Sequence, residues 1–266
     1  MFSVKSGTVK LNNGSIDYVV FGKGSRDMVI IPGLSFRDVK GAGIGLAYAF
    51  RIFARDYRVY VFDKNSLISE GCTVSDIADH TAEAMKALGI TQADIYGVSL
   101  GGMVAQYLAL NYPETVRRLV LGVTLSRQNE TVKNVVGNWI TLAENGDFDG
   151  IVRDMLTVMY SEGYVKKYGW MFPILTKFCI PKDRVRFVRL AKACLTCDTY
   201  DSLSEIKCPT LVLGGGMDMI VTGEASTEIA ERLGCECYLY DDLGHSAYDE
   251  AKDFNKRIYE FLTRDN

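Results

Sequence analysis

Histidine is nearly absent from this sequence. His80 and His245 are the only two in 266 residues, so chemistry that needs an imidazole has two candidates. Basic charge is not in excess either: 30 Lys and Arg stand against 33 Asp and Glu, a net charge of -3. That near balance argues against nucleic-acid binding, which calls for a clear basic surplus. No apolar run reaches the ~20 residues of a membrane-spanning helix, and the opening MFSVKSGTVKLNNG carries no apolar core of signal-peptide length. The expectation is a cytoplasmic protein without a membrane span. Two Asn-x-Ser/Thr triplets, at Asn13 and Asn129, then read as chance matches, because glycosylation needs the secretory route.

Seven cysteines, an odd number, point in that setting to reduced thiols. Cys194 and Cys197 form a CxxC, and Cys235 and Cys237 a CxC. Zinc ribbons pair two knuckles at short separation. Here the second pair is far from the first and lies in a strand-like stretch, so neither a metal nor a cofactor is expected.

Apolar β-rich runs alternate with amphipathic runs of helical period, the pattern of a mostly parallel sheet with helices on both faces. GTVKLNNGSIDYVVFG reads as a hairpin around Asn12-Asn13-Gly14. DMVIIPGL, YRVYVFD, ADIYGVS, VRRLVLGVT, PTLVLGGGMD and CECYLYDDLG read as strands. A helix follows Ser75 as N-cap, another follows Ser99, and a last one runs from about Ala247 to Thr263. The glycines between Gly41 and Gly45 are too irregular for a phosphate-binding fingerprint and read as a pliable loop.

Between Ser126 and Tyr200 the alternation stops. The reading is an α/β core made of residues 1–125 and 201–266, with residues 126–200 inserted as a helical cap. Its Trp139, Met155, Met159, Tyr160, Tyr164, Tyr168, Trp170 and Phe172 can pack the cap onto the core, and a few can line an apolar pocket. Lys182, Arg186 and Arg189 fall one helical turn apart; a solvated face is the default reading and an anion-binding one the rival.

One stretch carries chemistry. Gly97-Val98-Ser99-Leu100-Gly101 fits G-x-S-x-G and has a strand before it and a helix after it. A tight strand-to-helix turn lifts a serine hydroxyl above the sheet edge, and glycines on both flanks let other backbone approach without Cβ clashes. The helix N-terminus adds free N–H groups and partial positive charge where an oxyanion would form.

At these residues the chain resembles the α/β-hydrolase superfamily, in its branch with a helical cap. The resemblance runs from the first hairpin to the last helix. It implies a triad in chain order Ser, Asp, His: Ser99 as nucleophile, Asp218 after TLVLGGGM as the acid, and His245 in DDLGHSAYDE as the base. It also implies an oxyanion hole of two backbone N–H groups, those of Leu100 and Leu34. His80 lies in an earlier helix and reads as structural. Asp63 matches a position that supports local loop structure in the family.

Two departures stand out. The family's His-Gly in the oxyanion loop is Pro32-Gly33 here, and its Arg-Gly pair after the first acid is Lys64-Asn65. Haloalkane dehalogenases and epoxide hydrolases of the superfamily carry Asp in place of Ser99, so acyl chemistry is implied. The expectation is a serine hydrolase, carboxylesterase-like, cleaving a small ester or related acyl compound through an acyl-enzyme. The same fold also hosts C–C bond hydrolases, aminopeptidases and acyltransferases, and a slow ligand-binding protein can keep the triad. The partner expected is a small-molecule substrate, with a homodimer left open.

Overall fold

The computed structural model describes residues 3–171 and 183–264. Strands β1 (Lys5–Lys10) and β2 (Ser15–Phe21) form an antiparallel hairpin, with Leu11 N–H donating to Gly14 O across the turn. β3 (Arg26–Ile31), β4 (Tyr57–Phe62), β5 (Ala93–Val98), β6 (Val116–Gly122), β7 (Thr210–Gly215) and β8 (Glu236–Tyr240) follow. Among the described residues they make one sheet in the order β1-β2-β4-β3-β5-β6-β7-β8. β2 runs antiparallel to β4, and every pairing from β4 onward is parallel.

The helices are α1 (Gly43–Ala49), α2 (Val74–Ala87), α3 (Leu100–Asn111), α4 (Glu130–Glu144), α5 (Phe148–Met159) and α6 (Glu162–Tyr168). After the undescribed stretch come α7 (Arg184–Cys194), α8 (Gly223–Leu233), α9 (Ala247–Glu250) and α10 (Phe254–Thr263). Side chains alternate across each strand, so consecutive residues feed different cores. Ile95 and Leu119 join Met85, Val104 and Ile229 on one face; Tyr96 and Val120 join Ala47, Phe254 and Ile258 on the other. β5 is buried at all six positions, its one charged residue, Asp94, being paired with Arg117 (2.8 Å). The edge strands β1 and β8 are the most exposed, in keeping with their polar residues.

Three local expectations change. Helix α2 is capped by Thr73 and not by Ser75: Asp76 N–H donates to Thr73 Oγ1 (3.2 Å) and Thr73 N–H to Asp76 Oδ2 (2.8 Å). This reciprocal pair satisfies two amides at once, which Ser75, two residues later and inside the helix, does not do. The glycines at 41–45 fall in a short 3-10 turn and the start of α1, not in a pliable loop. The final helix is broken between Glu250 and Phe254. Its first turn is held toward the segment after α5, where Ser161 N–H donates to Glu250 Oε1 (2.9 Å).

Between β6 and β7 the described residues form α4 to α7 with no strand. Each helix begins at a side-chain cap: Asn129 accepts from Val132 N–H, Asp147 from Gly150 N–H, Ser161 from Tyr164 N–H and Asp183 from Arg186 N–H. Trp139 and Met155 are buried there, Trp170 is exposed, and Tyr164 stacks on Tyr160. Phe172 and Lys182 lie outside the described residues.

Candidate active site

Ser99 sits at the end of β5 with φ 54° and ψ -119°, in the left-handed half of backbone space that a side chain occupies at a cost. Its surroundings enforce that turn. A Cβ on Gly97 would lie 2.2 Å from Gly101 O, and one on Gly101 only 1.8 Å from Ile31 O. Helix α3 approaches β5 and β3 as closely as glycine permits. The carbonyl of Ser99 accepts from Gly102 N–H (2.8 Å), Met103 N–H (3.1 Å) and Thr124 Oγ1 (2.8 Å). Thr124 follows Val123, whose φ of 45° is rare for a β-branched residue. No sequence pattern announced that brace.

Asp218 lies in the turn after β7. Its Oδ1 accepts from Ile220 N–H (2.8 Å) and Val221 N–H (3.0 Å), leaving Oδ2 2.8 Å from His245 Nδ1. His245, in the loop between β8 and α9, is buried, and its Nε2 is 3.0 Å from Ser99 Oγ. With a carboxylate accepting at Nδ1, the ring proton belongs on that nitrogen and Nε2 is free to accept from the serine hydroxyl. The loop is tied to the inserted helices, since Ser246 N–H donates to Met159 O (2.7 Å). Ser99, Asp218 and His245, 146 residues apart at their extremes, thus form one hydrogen-bonded series.

Leu100 is the first residue of α3, where amides lack intrahelical partners. Gly33 and Leu34, after β3, line the same small cavity as Ser99 and His245, which measures about 50 Å³. Its other walls are apolar: Met103, Val132, Val136, Trp139, Met155, Met159, Cys194, Ile220 and Val221 among them. Sequence reading singled out Trp139, Met155 and Met159; the valines, Cys194 and Ile220 came unannounced. The cavity adjoins a groove of about 530 Å³, with Leu34, Met155, Met159 and Tyr248 shared between them.

Four polar residues beside the loop after β3 have defined partners. Asp63 Oδ2 accepts from Val39 N–H (3.1 Å), and its Oδ1 from Lys64 N–H (2.7 Å) and Arg186 (2.9 Å). Arg186 also donates to Lys64 O and Asn65 O, and Arg189 donates to Ile68 O (2.8 Å). The two arginines therefore bind α7 to the loop after β4, and neither the solvated-face nor the anion-site reading describes them. Lys64 is buried, its ammonium donating to Pro32 O and to Gly33 O (2.6 Å). Burial pulls its pKa down to about 8, against an opposing pull from Asp63.

His80 stands apart on α2, part-buried, with Nδ1 unpartnered. Cys194 and Cys197 are buried free thiols, and burial pushes Cys194 up to about 12. Among the described residues no group of His, Cys, Asp and Glu is arranged to hold a metal ion, and no helix is long and apolar enough to cross a membrane.

The sequence pattern of the family described as "alpha/beta hydrolase fold" matches residues 25–149. The enol-lactonase from Burkholderia xenovorans superposes with a TM-score of 0.85 over 97% of this chain and 100% of its own, at 18% identity. The chain has the α/β-hydrolase fold. A second protein of this fold, MGS-M2 from a deep-sea metagenome library, superposes with a TM-score of 0.84 over 98% of both chains, at 22% identity. Among curated sequences, a protein named putative carbamate hydrolase RutD from Rhizobium rhizogenes is 25% identical over 84% of this chain and 88% of its own. Pyrrolizixenacetamide deacetylase from Xenorhabdus hominickii is 26% identical over 91% of this chain and 92% of its own. Within this α/β-hydrolase fold, the loop carrying Leu34, the serine turn and the histidine loop all lie at the C-terminal edge of the parallel strands β3, β5 and β8.

Proposed function

We propose that this α/β-hydrolase-fold chain is a serine hydrolase that cleaves a small ester or related acyl compound through an acyl-enzyme on Ser99. The observation that carries the reading is the Asp218–His245–Ser99 series, at 2.8 and 3.0 Å. A serine hydroxyl is a weak nucleophile until a base takes its proton. His245 Nε2 accepts that proton as Ser99 Oγ attacks the acyl carbon, and then returns it to the departing alkoxide or amine. Asp218 holds the ring and stabilises the imidazolium. The N–H groups of Leu34 and Leu100 receive the oxyanion of the tetrahedral intermediate. Water then attacks the acyl-enzyme, with His245 again the base, and frees the acid and Ser99.

Residues 126–200 act as the cap in this reading, and the apolar walls of the small cavity favour a short uncharged group on one side of the scissile bond. The relatives named for carbamate hydrolysis and deacetylation favour including C–N acyl bonds among the substrates. Intact mass after treatment with a small fluorophosphonate tests the nucleophile. One adduct on the wild type, absent from Ser99→Ala, is the expected result; no adduct on either brings the binding-protein alternative forward. A panel of esters, thioesters, carbamates and amides then ranks the acyl and leaving groups.

A further inference from the structure

We infer that Lys64 is a positioning residue of the oxyanion hole, its buried ammonium fixing and polarising the peptide group whose N–H belongs to Leu34. The inference rests on the serine-hydrolase reading and adds a residue to it. Gly33 O and Leu34 N belong to one amide, and in a trans peptide its C=O and N–H point in opposite directions. Lys64 Nζ donates to that carbonyl at 2.6 Å and to the preceding carbonyl, Pro32 O. Leu34 lines the cavity with Ser99 and His245, whereas Lys64 lines a separate hollow behind the loop. In this inference the cation grips the carbonyl end of the amide, and the opposite, N–H end is the one turned to the reacting centre.

A charge-assisted hydrogen bond at the carbonyl draws electron density from the amide and makes its N–H a stronger donor, an effect enhanced where water is excluded. The two contacts also hold the loop in one conformation, so the donor is in place before charge develops. Lys64 is 5% exposed. A lysine enters the interior at considerable cost, so a buried one whose ammonium donates to two adjacent carbonyls is a specific device. The groups facing it are Asp63 on its own loop and Arg186 and Cys194 from α7; Asp17, Arg37, Asp38 and Asp183 surround the hollow. Burial outweighs Asp63, so the ammonium loses its proton near pH 8.

The test compares wild type, Lys64→Met and Lys64→Arg by steady-state kinetics on one activated ester and by the rate of fluorophosphonate labelling, from about pH 6 to about pH 10. Lys64→Met is expected to lower kcat roughly tenfold or more at little-changed KM, short of the ~10²–10³ that loss of an entire oxyanion donor costs. The wild-type labelling rate is expected to decline above about pH 8, a decline missing from Lys64→Met. Lys64→Arg, charged throughout, is expected to recover much of kcat and to hold it at high pH. Equal kcat and equal pH profiles in wild type and Lys64→Met overturn the inference while leaving the hydrolase reading intact. Should Lys64→Met fail to fold, Lys64→Gln takes its place in the same comparison, and equal kcat and equal labelling rates in wild type and Lys64→Gln overturn the inference. Absence of labelling on wild type at every pH removes the hydrolase reading itself.

Discussion

Asp218 illustrates how one side chain can do two jobs. One oxygen is committed to the backbone amides of Ile220 and Val221, which fixes the carboxylate's plane and presents the other oxygen to His245. Asp218→Asn keeps the shape but can present an N–H to Nδ1 and so favour the wrong tautomer. The expected result is a loss of ~10⁴ in kcat with the far-ultraviolet spectrum unchanged, measured by steady-state kinetics and circular dichroism. Lys64 makes a second prediction at this scale, in stability. Its folded pKa, about 8, lies below the ordinary lysine value, so the unfolded chain binds more protons between the two. The cost of burying the ammonium is fully present below about pH 8 and disappears as pH rises toward the lysine range. Wild type should therefore gain stability relative to Lys64→Met across that window. Urea unfolding at several pH values checks it, and a constant difference would contradict it.

At the scale of elements, glycine separates necessity from habit. Gly101 stands where α3 packs against β3, with no room for a methyl group. Gly101→Ala is expected to shift the serine turn, lowering both Tm and fluorophosphonate labelling. Gly45 has nothing within 4 Å of a built Cβ and lies inside α1. Gly45→Ala is expected to raise stability by about 0.5–1 kcal/mol, readable by chemical denaturation, with activity unchanged. The strands and the hairpin were legible in the sequence because burial on both faces or on one writes itself as a continuous or alternating apolar pattern. The cap of α2 was misread because Thr73 and Ser75 are both fit for the position. The choice between them rests on where Asp76 reaches back.

At the scale of the molecule, the inserted helices and the histidine loop are mechanically joined. Ser161 donates through N–H and Oγ to the two oxygens of Glu250, and Ser246 N–H donates to Met159 O. Glu250→Ala is expected to loosen α6 from the core. Hydrogen exchange over residues 160–168 should quicken, and KM should rise more than kcat falls. Unchanged exchange there would show that the apolar packing of α4, α5 and α7 alone seats these helices. The arginine pair belongs to this scale too. Its spacing along one helix cannot reveal that Asp63 and the carbonyls after β4 lie opposite it, 121 to 123 residues earlier in the chain.

The sequence by itself determined the alternation that builds the parallel sheet, the strand-turn-helix around Ser99, and the short list of residues able to act with it, because local pattern and scarcity are properties of the chain. With two histidines available, one in a helix and one in a late loop, composition alone makes the choice of base narrow. Only the tertiary structure decided what meets across the fold: Thr124 on the carbonyl of Ser99, Arg186 on Asp63, and Lys64 on the carbonyl of Gly33. These partners lie 25 to 123 residues apart. A contact between distant residues is set by strand order and helix docking, which no local spacing encodes.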